Sequence, residues 1–219
     1  MKKSSVGFTC KDWGSAYKVS AREISVHNVY RKITGRKSLP EGKQYWTLAG
    51  LHSNDNCELP HSLRCGIIAS PGQFHGVDRE LEIVDHNRAI YAEAHWYHGD
   101  FCHIIEVAER FNPGLINFDM VSMVKGACSH VSRALYILVK RDVSGVVLCA
   151  NFLLNNPRER SDVCYSPTDF WKPFYQNSLG RILRKAMDHG WRVYPDVYLY
   201  DGADEKSNSL LETVYLYRP

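Results

Sequence analysis

The sequence predicts an α/β fold with a mostly parallel sheet and helices on both faces. From Tyr45 onward, short apolar runs alternate with segments of helical periodicity. Several runs end on or near an acid, as Phe74–Asp78 does. The run Gly145–Leu154 is too apolar for a strand with one solvated face. Alternating strands and helices are typical of a parallel sheet covered on both sides.

The N-terminal fifth of the chain carries the basic charge. Residues 1–43 contain ten Lys and Arg against three Asp and Glu, whereas the remaining residues contain 17 against 21. After an arm without clear periodicity, Ser20–Glu23 has the form of a capping box. It predicts a helix that Gly35 can end. We therefore divide the chain into a basic arm and helix, residues 1–43, and a main domain, residues 44–219.

The clustered basic side chains have two interpretations. They form the solvated face of a helix packed on the sheet, or a surface that contacts phosphates, because binding a polyanion needs clustered Lys and Arg. The candidates for phosphate contact are Arg22, Arg31, Lys32, Arg36 and Lys37. The second interpretation predicts a nucleic-acid partner.

Five strands are predicted before residue 155, each followed by a helical or polar segment. They are Tyr45–Gly50, Phe74–Asp78, Ala94–Asp100, Leu115–Met120 and Gly145–Leu154. We expect the fifth strand to lie centrally between parallel neighbours. A further helix is predicted from Phe170 to Ala186. The strings Val197–Tyr200 and Val214–Tyr217, both VYLY, predict an antiparallel hairpin.

Asp78 is the first candidate for ligand binding. It ends the second strand, and parallel sheets bind ligands at the carboxyl ends of their strands. A carboxylate accepts two hydrogen bonds, which suits the vicinal hydroxyls of a ribose. The other interpretation is a capping or surface carboxylate, and it applies equally to Asp100 after the third strand.

The order of elements and the placement of the acids resemble the class I S-adenosylmethionine (SAM)-dependent methyltransferases, a Rossmann-like family, over about residues 44–219. The resemblance implies a seven-stranded sheet whose terminal hairpin inserts an antiparallel strand. It also implies SAM as the cofactor, with Asp78 on the ribose hydroxyls and Asp100 near the adenine amino group. The cofactor-binding candidates are Ala49, Gly50, Asp78, Asp100 and Phe101.

The end of the fourth strand matches the family's position nearest the chemistry, which makes Asn117 and Asp119 the catalytic candidates. Asp119 could position the acceptor or accept a proton. It could equally be a strand-end residue bonded to backbone amides. The strand lacks the prolines of the amino-directed enzymes and the Pro-Cys nucleophile of cytosine-C5 enzymes.

Two functions follow from these observations. The first is a SAM-dependent methyltransferase that acts on a nucleic acid or nucleotide. The second is a catalytically inactive, methyltransferase-like protein that binds nucleic acid or a host protein. The single glycine in the first loop, residues 49–54, favours the second. The compact size suggests a viral or mobile-element source.

The remaining features set limits on location and cofactors. The sequence has no signal-peptide pattern and no apolar run of membrane-spanning length. Its seven cysteines include no CxxC pair, which favours reduced thiols and a cytoplasmic location. The histidines around Cys102 do not have the spacing of metal ligands, so no metal site is expected.

Overall fold

The computed structural model describes residues 23–52, 55, 57–154, 184–201 and 208–219. The strands are β1 Gln44–Leu48, β2 Phe74–Asp78, β3 His95–His98, β4 Pro113–Met123, β5 Val146–Leu154, β6 Arg192–Asp201 and β7 Asn208–Arg218. They form one seven-stranded sheet in the order β3-β2-β1-β4-β5-β7-β6. Strands β1 to β5 pair in parallel, and β7 is antiparallel to both β5 and β6.

The helical elements lie between the strands in chain order. They are a π-helical turn Glu23–Asn28, α1 Val29–Thr34, α2 Glu58–Arg64, α3 Leu81–Ile90, α4 Phe101–Val107 and α5 Val124–Lys140. Residues 184–188 are also helical. Most of the predicted helix Phe170–Ala186 lies outside the described residues, as do the N-terminal arm and Arg22. None of the described helices has both the length and the apolar composition that crossing a membrane requires.

Alternate side chains of each strand point to opposite faces of the sheet, and different helices cover the two faces. The π-helical turn, α1, α2 and α3 cover the face that we call the α2 face. Its buried side chains include Tyr30, Tyr45, Leu59, Phe74, Leu115 and Val147. Helices α4 and α5 cover the other, the α5 face. Its buried side chains include Trp46, Phe101, Ile105, Ile116, Leu138 and Leu148. The predicted fold class is confirmed.

The predicted boundaries of the helices and strands agree best with the structure where a strong local signal ends an element. Strand β2 occupies Phe74–Asp78, as predicted. Helix α4 begins at Phe101, and the Asp100 side chain caps it by accepting a hydrogen bond from the His103 amide at 3.1 Å. This cap satisfies a backbone amide that the first helical turn leaves without a partner.

Strand β5 is central, but only one of its neighbours is parallel. It pairs in parallel with β4 and antiparallel with β7, which lies between β5 and β6. The prediction of two parallel neighbours is therefore wrong. A wholly apolar run reports burial on both faces of a strand, and it carries no information about the direction of the strands beside it.

Strands β6 and β7 form the predicted antiparallel hairpin, but the two VYLY strings do not face each other. Val197 lies opposite Glu212 rather than within the second string. The pairing starts at Asp201 and Asn208, and the length of the connection between them fixes every later pair. Sequence similarity between two strands therefore does not determine their register.

The described part of the basic segment packs on the α2 face. Val26 and Tyr30 are 1% and 2% exposed, in the same cluster as Tyr45 of β1. As predicted, Gly35 ends α1: it has a left-handed φ of 69° and its amide donates to the Arg31 carbonyl. The domain boundary after residue 43 stays a prediction.

Gly76 on β2 is expected to tolerate no side chain. A methyl group there would lie 2.5 Å from the Trp96 ring and 2.9 Å from the Ala49 Cβ. Neither neighbour is the free end of a flexible chain, so Gly76→Ala should lower the free energy of unfolding by roughly 1–3 kcal/mol, the scale of overpacking. Urea denaturation at equilibrium measures this loss.

Gly72→Ala is the matched control. Its added methyl group would lie 3.8 Å from the nearest atom, which is ordinary contact. We expect its free energy of unfolding to stay within about 0.5 kcal/mol of the parent protein. Equal losses in the two variants would show that crowding at Gly76 is not the cause.

Candidate functional site

The carboxyl ends of β1, β2 and β3 lie side by side, and the residues that follow them converge. Ala49 follows β1, and its amide donates to a β2 carbonyl at 2.9 Å. Asp78 ends β2 opposite His98, the last residue of β3. The Gly99 amide donates to the Asp78 carbonyl at 2.8 Å. The sheet thereby brings three predicted cofactor-binding positions, Ala49, Asp78 and Asp100, to one edge.

The side chain of Asp78 is only partly engaged by the protein. It is half-buried, and its Oδ1 accepts a hydrogen bond from the Glu80 amide at 2.8 Å. Burial raises the pKa of Asp78, against the opposing effect of the Glu80 and Arg79 amides. No ion pair within the described residues involves this carboxylate, so it retains acceptor capacity for a ligand.

Asp100 is held by protein groups instead. Its Oδ2 pairs with Arg79 at 2.8 Å, and Arg133 of α5 lies 3.7 Å from Oδ1, which also caps α4. Burial acts to raise the pKa of Asp100, but Arg79, the His103 amide and the charge of His130 outweigh it, so the pKa is lowered. Asp100 therefore does cap α4, and its role in cofactor binding stays a prediction. An adenine contact would have to use its remaining lone pairs.

Side chains, rather than glycines, hold the loop after β1. The Gly50 carbonyl accepts hydrogen bonds from Asn87 Nδ2 at 3.0 Å and from His52 Nδ1 at 2.9 Å. The Asn87 Oδ1 accepts the His52 amide at 2.8 Å. The Leu59 amide donates to His52 Nε2 at 3.2 Å, which identifies the His52 ring as the Nδ1-protonated tautomer. The loop is thus fixed at Gly50 by two buried side chains.

A buried carboxyl group lies beneath this edge of the sheet. Glu58, the first residue of α2, is 6% exposed. Its Oε1 accepts from the Tyr45 hydroxyl and, at 2.8 Å, from Asn117 Nδ2, and its Oε2 accepts from Thr47 at 3.0 Å. Glu58 therefore ties α2 to β1 and β4 through three donors.

The predicted catalytic residues occupy different positions on β4. Asn117 is 2% exposed and donates to Glu58, and its buried Oδ1 has no hydrogen-bond partner among the described residues. Asp119 pairs with Asn151 of β5. The side chain of Asp119 lies outside what the structure describes. Phe101 is buried and meets Phe118 edge-on at 4.8 Å, so it belongs to the core of the α5 face.

The basic candidates divide into two groups. Arg31 uses its guanidinium on the protein itself, donating to the Cys65 carbonyl at 2.6 Å, the Lys37 carbonyl at 3.1 Å and Asn28 at 3.2 Å. The exposed group comprises Lys32, Arg36 and Lys37. Among the described candidates, only this second group presents its charge to solvent.

Sequence reasoning missed Glu58, His52 and Asn87. Glu58 and Asn117 are 59 positions apart, so no local pattern joins them. An acid in the first turn of a helix ordinarily indicates an interaction with the helix dipole, which is the only signal Glu58 gave. Nothing in the spacing of His52 and Asn87 predicted that both would bind Gly50.

The comparison with solved structures decides the fold. Plantazolicin methyltransferase BamL, solved with a triazolic desmethylPZN analog and S-adenosylhomocysteine (SAH), aligns over 93% of this chain and 85% of its own, at TM-score 0.51 and 11% identity. The chain has the class I methyltransferase fold. The glycopeptide N-methyltransferase MtfA, solved with SAM, aligns over 89% of this chain and 95% of its own, at TM-score 0.50 and 10% identity. No protein-family model matches the sequence, and no curated protein matches it.

The opposite environments of the two acids at this methyltransferase-type edge predict opposite effects on stability. Asp100→Ala should lower the free energy of unfolding at pH 7 by about 1 kcal/mol, because it removes a helix cap. The folded-state pKa of Asp100 is lowered, so the ionic part of its contribution is present above the unfolded pKa and fades as the pH falls below about 4.

Asp78→Asn should cause no such loss at pH 7. The folded-state pKa of Asp78 is raised, so its ionisation costs stability as the pH rises from about 4 through the folded pKa, and Asn removes that cost. Asn can still accept the Glu80 amide. Urea denaturation of both variants between pH 3 and 7 tests the pair, and a loss for Asp78→Asn as large as for Asp100→Ala would contradict it.

Proposed function

We propose that this chain is a SAM-dependent methyltransferase with a nucleic-acid or nucleotide acceptor. The observation that carries the proposal is Asp78, a half-buried carboxylate without an ion pair in the described structure. It stands at the carboxyl end of β2 in a sheet of methyltransferase strand order. Burial disfavours the charged form of this carboxylate. A carboxylate in such an environment is typical of a site where a ligand binds.

The residues around Asp78 fit the cofactor. Asp78 can accept the two ribose hydroxyls, and the fixed loop at Gly50 borders the same edge. Asp100 has lone pairs left for the adenine amino group beyond those used by Arg79 and His103. When bound, SAM supplies an electrophilic methyl group on a sulfonium. The protein's own contribution is to bind and orient the reactants.

The residues of β4 take two roles in this proposal. Asp119 lies in the later half of the strand and would position the acceptor or accept its proton. Asn117 is buried and acts through Glu58, so it is a positioning residue rather than one that touches the acceptor.

The exposed basic group supports a polyanionic acceptor. Lys32, Arg36 and Lys37 lie at and just beyond the end of α1 and offer three cations to solvent. Arg31 instead fastens the segment to the residue that follows α2, through the Cys65 carbonyl. The charged side chains would therefore be held in a fixed orientation with respect to the sheet.

The second candidate is a methyltransferase-like binding protein without transfer activity. Two observations favour it: Gly50 is the single glycine of the first loop and is locked by Asn87 and His52, and Asp100 is engaged by Arg79. In both cases a group that the cofactor would contact, the backbone at Gly50 or the Asp100 carboxylate, is already bound to other protein groups. Cofactor binding by the intact chain separates the two functions.

Isothermal titration with SAH tests the cofactor site. We expect the parent protein to bind, and Asp78→Ala to weaken binding by roughly 1.5–3 kcal/mol, or about 10- to 150-fold, the scale of charge-assisted hydrogen bonds. The ribose hydroxyls would lose their acceptor while the fold is retained.

Asp85→Ala is the control, because Asp85 is an exposed acid on α3 that pairs with Arg88. It should bind SAH like the parent protein. Absence of binding by the parent protein near millimolar SAH would support the second candidate function. If Asp78→Ala binds SAH as tightly as the parent protein, the cofactor does not bind at the end of β2.

The acceptor proposal is tested through the salt dependence of nucleic-acid binding. Replacing Lys32, Arg36 and Lys37 together by Gln should weaken binding to all sequences and make the log–log salt slope shallower by about 2 units. Each phosphate contact contributes about 0.7–0.9 to that slope through counterion release. Fluorescence anisotropy with single-stranded RNA and duplex DNA measures it.

The matched control removes the same charge elsewhere, in exposed Arg110, Lys140 and Lys185. This second triple variant should keep the slope of the parent protein. If the two triple variants change the slope equally, the effect is one of net charge. The α1 segment would then be only a solvated face. Both variants should bind SAH normally.

A further inference from the structure

Two histidines and a cysteine meet at the far end of α2 from Glu58. His27 comes from the π-helical turn, His61 from α2, and Cys65 is the C-cap of α2. Their ligand atoms all lie within 4.8 Å of one another. Neither the fold nor the proposed methyl transfer accounts for this cluster.

The distances are close to those of a tetrahedral metal site. Cys65 Sγ lies 3.5 Å from His61 Nε2. Zinc binds thiolate sulfur at about 2.3 Å and imidazole nitrogen at about 2.0–2.1 Å, so tetrahedral angles put two such ligands about 3.5 Å apart. The His61–Cys65 separation therefore already fits. The other ligand atoms are at most 4.8 Å apart. That is about 1.3 Å more than two ligands of a tetrahedral zinc ion, a difference that rotation of the side chains can close.

The surroundings fit a structural metal. His27 and His61 are 0% and 2% exposed, and their rings stack at 5.2 Å with an angle of 16°. His61 and Cys65 are four residues apart, so a helical turn places them on one side. His27 lies in a π-helical turn, a distortion that often marks functional positions.

We propose that His27, His61 and Cys65 bind a divalent transition-metal ion, for which Zn²⁺ is the natural occupant. Two imidazoles and a thiolate form a borderline-soft ligand set of the kind zinc takes. The fourth position would go to water or to Glu23, one turn before His27 in the same π-helical turn. The ion would join the N-terminal segment to α2.

Two cations beside the cluster disfavour a bound cation. Arg64 donates to His61 Nδ1 at 3.3 Å, and Arg31 donates to the Cys65 carbonyl at 2.6 Å. Coordination through His61 Nε2 needs the proton on Nδ1, so the Arg64 contact would have to be released. The proposal therefore predicts that Arg64→Gln binds metal more tightly than the parent protein.

The test uses the purified chain of residues 1–219 and two probe ions. We expect elemental analysis to find about one zinc per chain, and cobalt substitution to give the charge-transfer absorption of a cobalt–thiolate bond. Cys65→Ser should abolish that absorption and weaken zinc binding at least about 100-fold. Zinc at about 100 times its dissociation constant should raise the unfolding midpoint of the stripped protein by roughly 5–10 °C.

Cys57→Ser is the matched control, because Cys57 precedes the same helix at its other end, where Ser also caps well. It should retain the cobalt absorption and the zinc-dependent midpoint. A parent protein without bound zinc that shows neither the absorption nor the shift would overturn the proposal, as would identical spectra in Cys65→Ser. If Cys65→Ser fails to fold, the Arg64→Gln titration decides. Unchanged or weaker zinc binding there would overturn the proposal.

Discussion

The carboxyl group of Glu58 is the constraint on which the candidate site depends. A carboxyl group that is 6% exposed must find its hydrogen bonds inside the protein, and Glu58 finds them on two strands. Tyr45 and Thr47 donate from β1, and Asn117 donates from β4. Leaving such a group without one of these partners costs about 1–3 kcal/mol. The position where α2 begins is therefore coupled to the centre of the sheet.

The described start of the loop between β1 and α2, residues 49–52, is held by bonds to the same part of the structure. The loop is hydrogen-bonded to β2 at Ala49 and to α2 through the bond from the Leu59 amide to His52. Between these points, Asn87 and His52 fix the Gly50 carbonyl. A glycine-rich loop achieves close approach to a ligand through backbone freedom. Here fixed side chains hold the described start of the loop, residues 49–52, so a cofactor that approached Gly50 would meet a carbonyl already hydrogen-bonded to the protein.

The sequence predicted the sheet well because its signals are local. An apolar run ending on Asp78, and Gly35 after a helical pattern, each mark an element by themselves. The register of β6 against β7 was not predictable from the similar strings, because the length of a connection sets it. The apolar composition of β5 did not give the direction of its neighbour either, since a parallel and an antiparallel neighbour bury the strand equally.

The site was predicted less well, because the contacts of its side chains join residues that are far apart in the sequence. Asp78 and Asp100 follow neighbouring strands and look alike in sequence, yet only Asp100 meets Arg79 and Arg133. Arg31 looked like its basic neighbours until the structure showed it bound to the Cys65 carbonyl. Glu58 had no signal beyond its place in a first helical turn.

Helix α2 connects these separate findings. Its first residue, Glu58, holds the two central strands, and its last turn contacts the N-terminal segment through Arg31 and the cluster of His27, His61 and Cys65. A displacement of one end of this seven-residue helix would also displace the other end, since a helix of about two turns moves as a unit. The orientation of the basic side chains beyond α1 and the geometry of the edge beside Asp78 therefore share one support. If the chain binds a polyanion there and a nucleoside at β2, α2 is the element that sets their relative position.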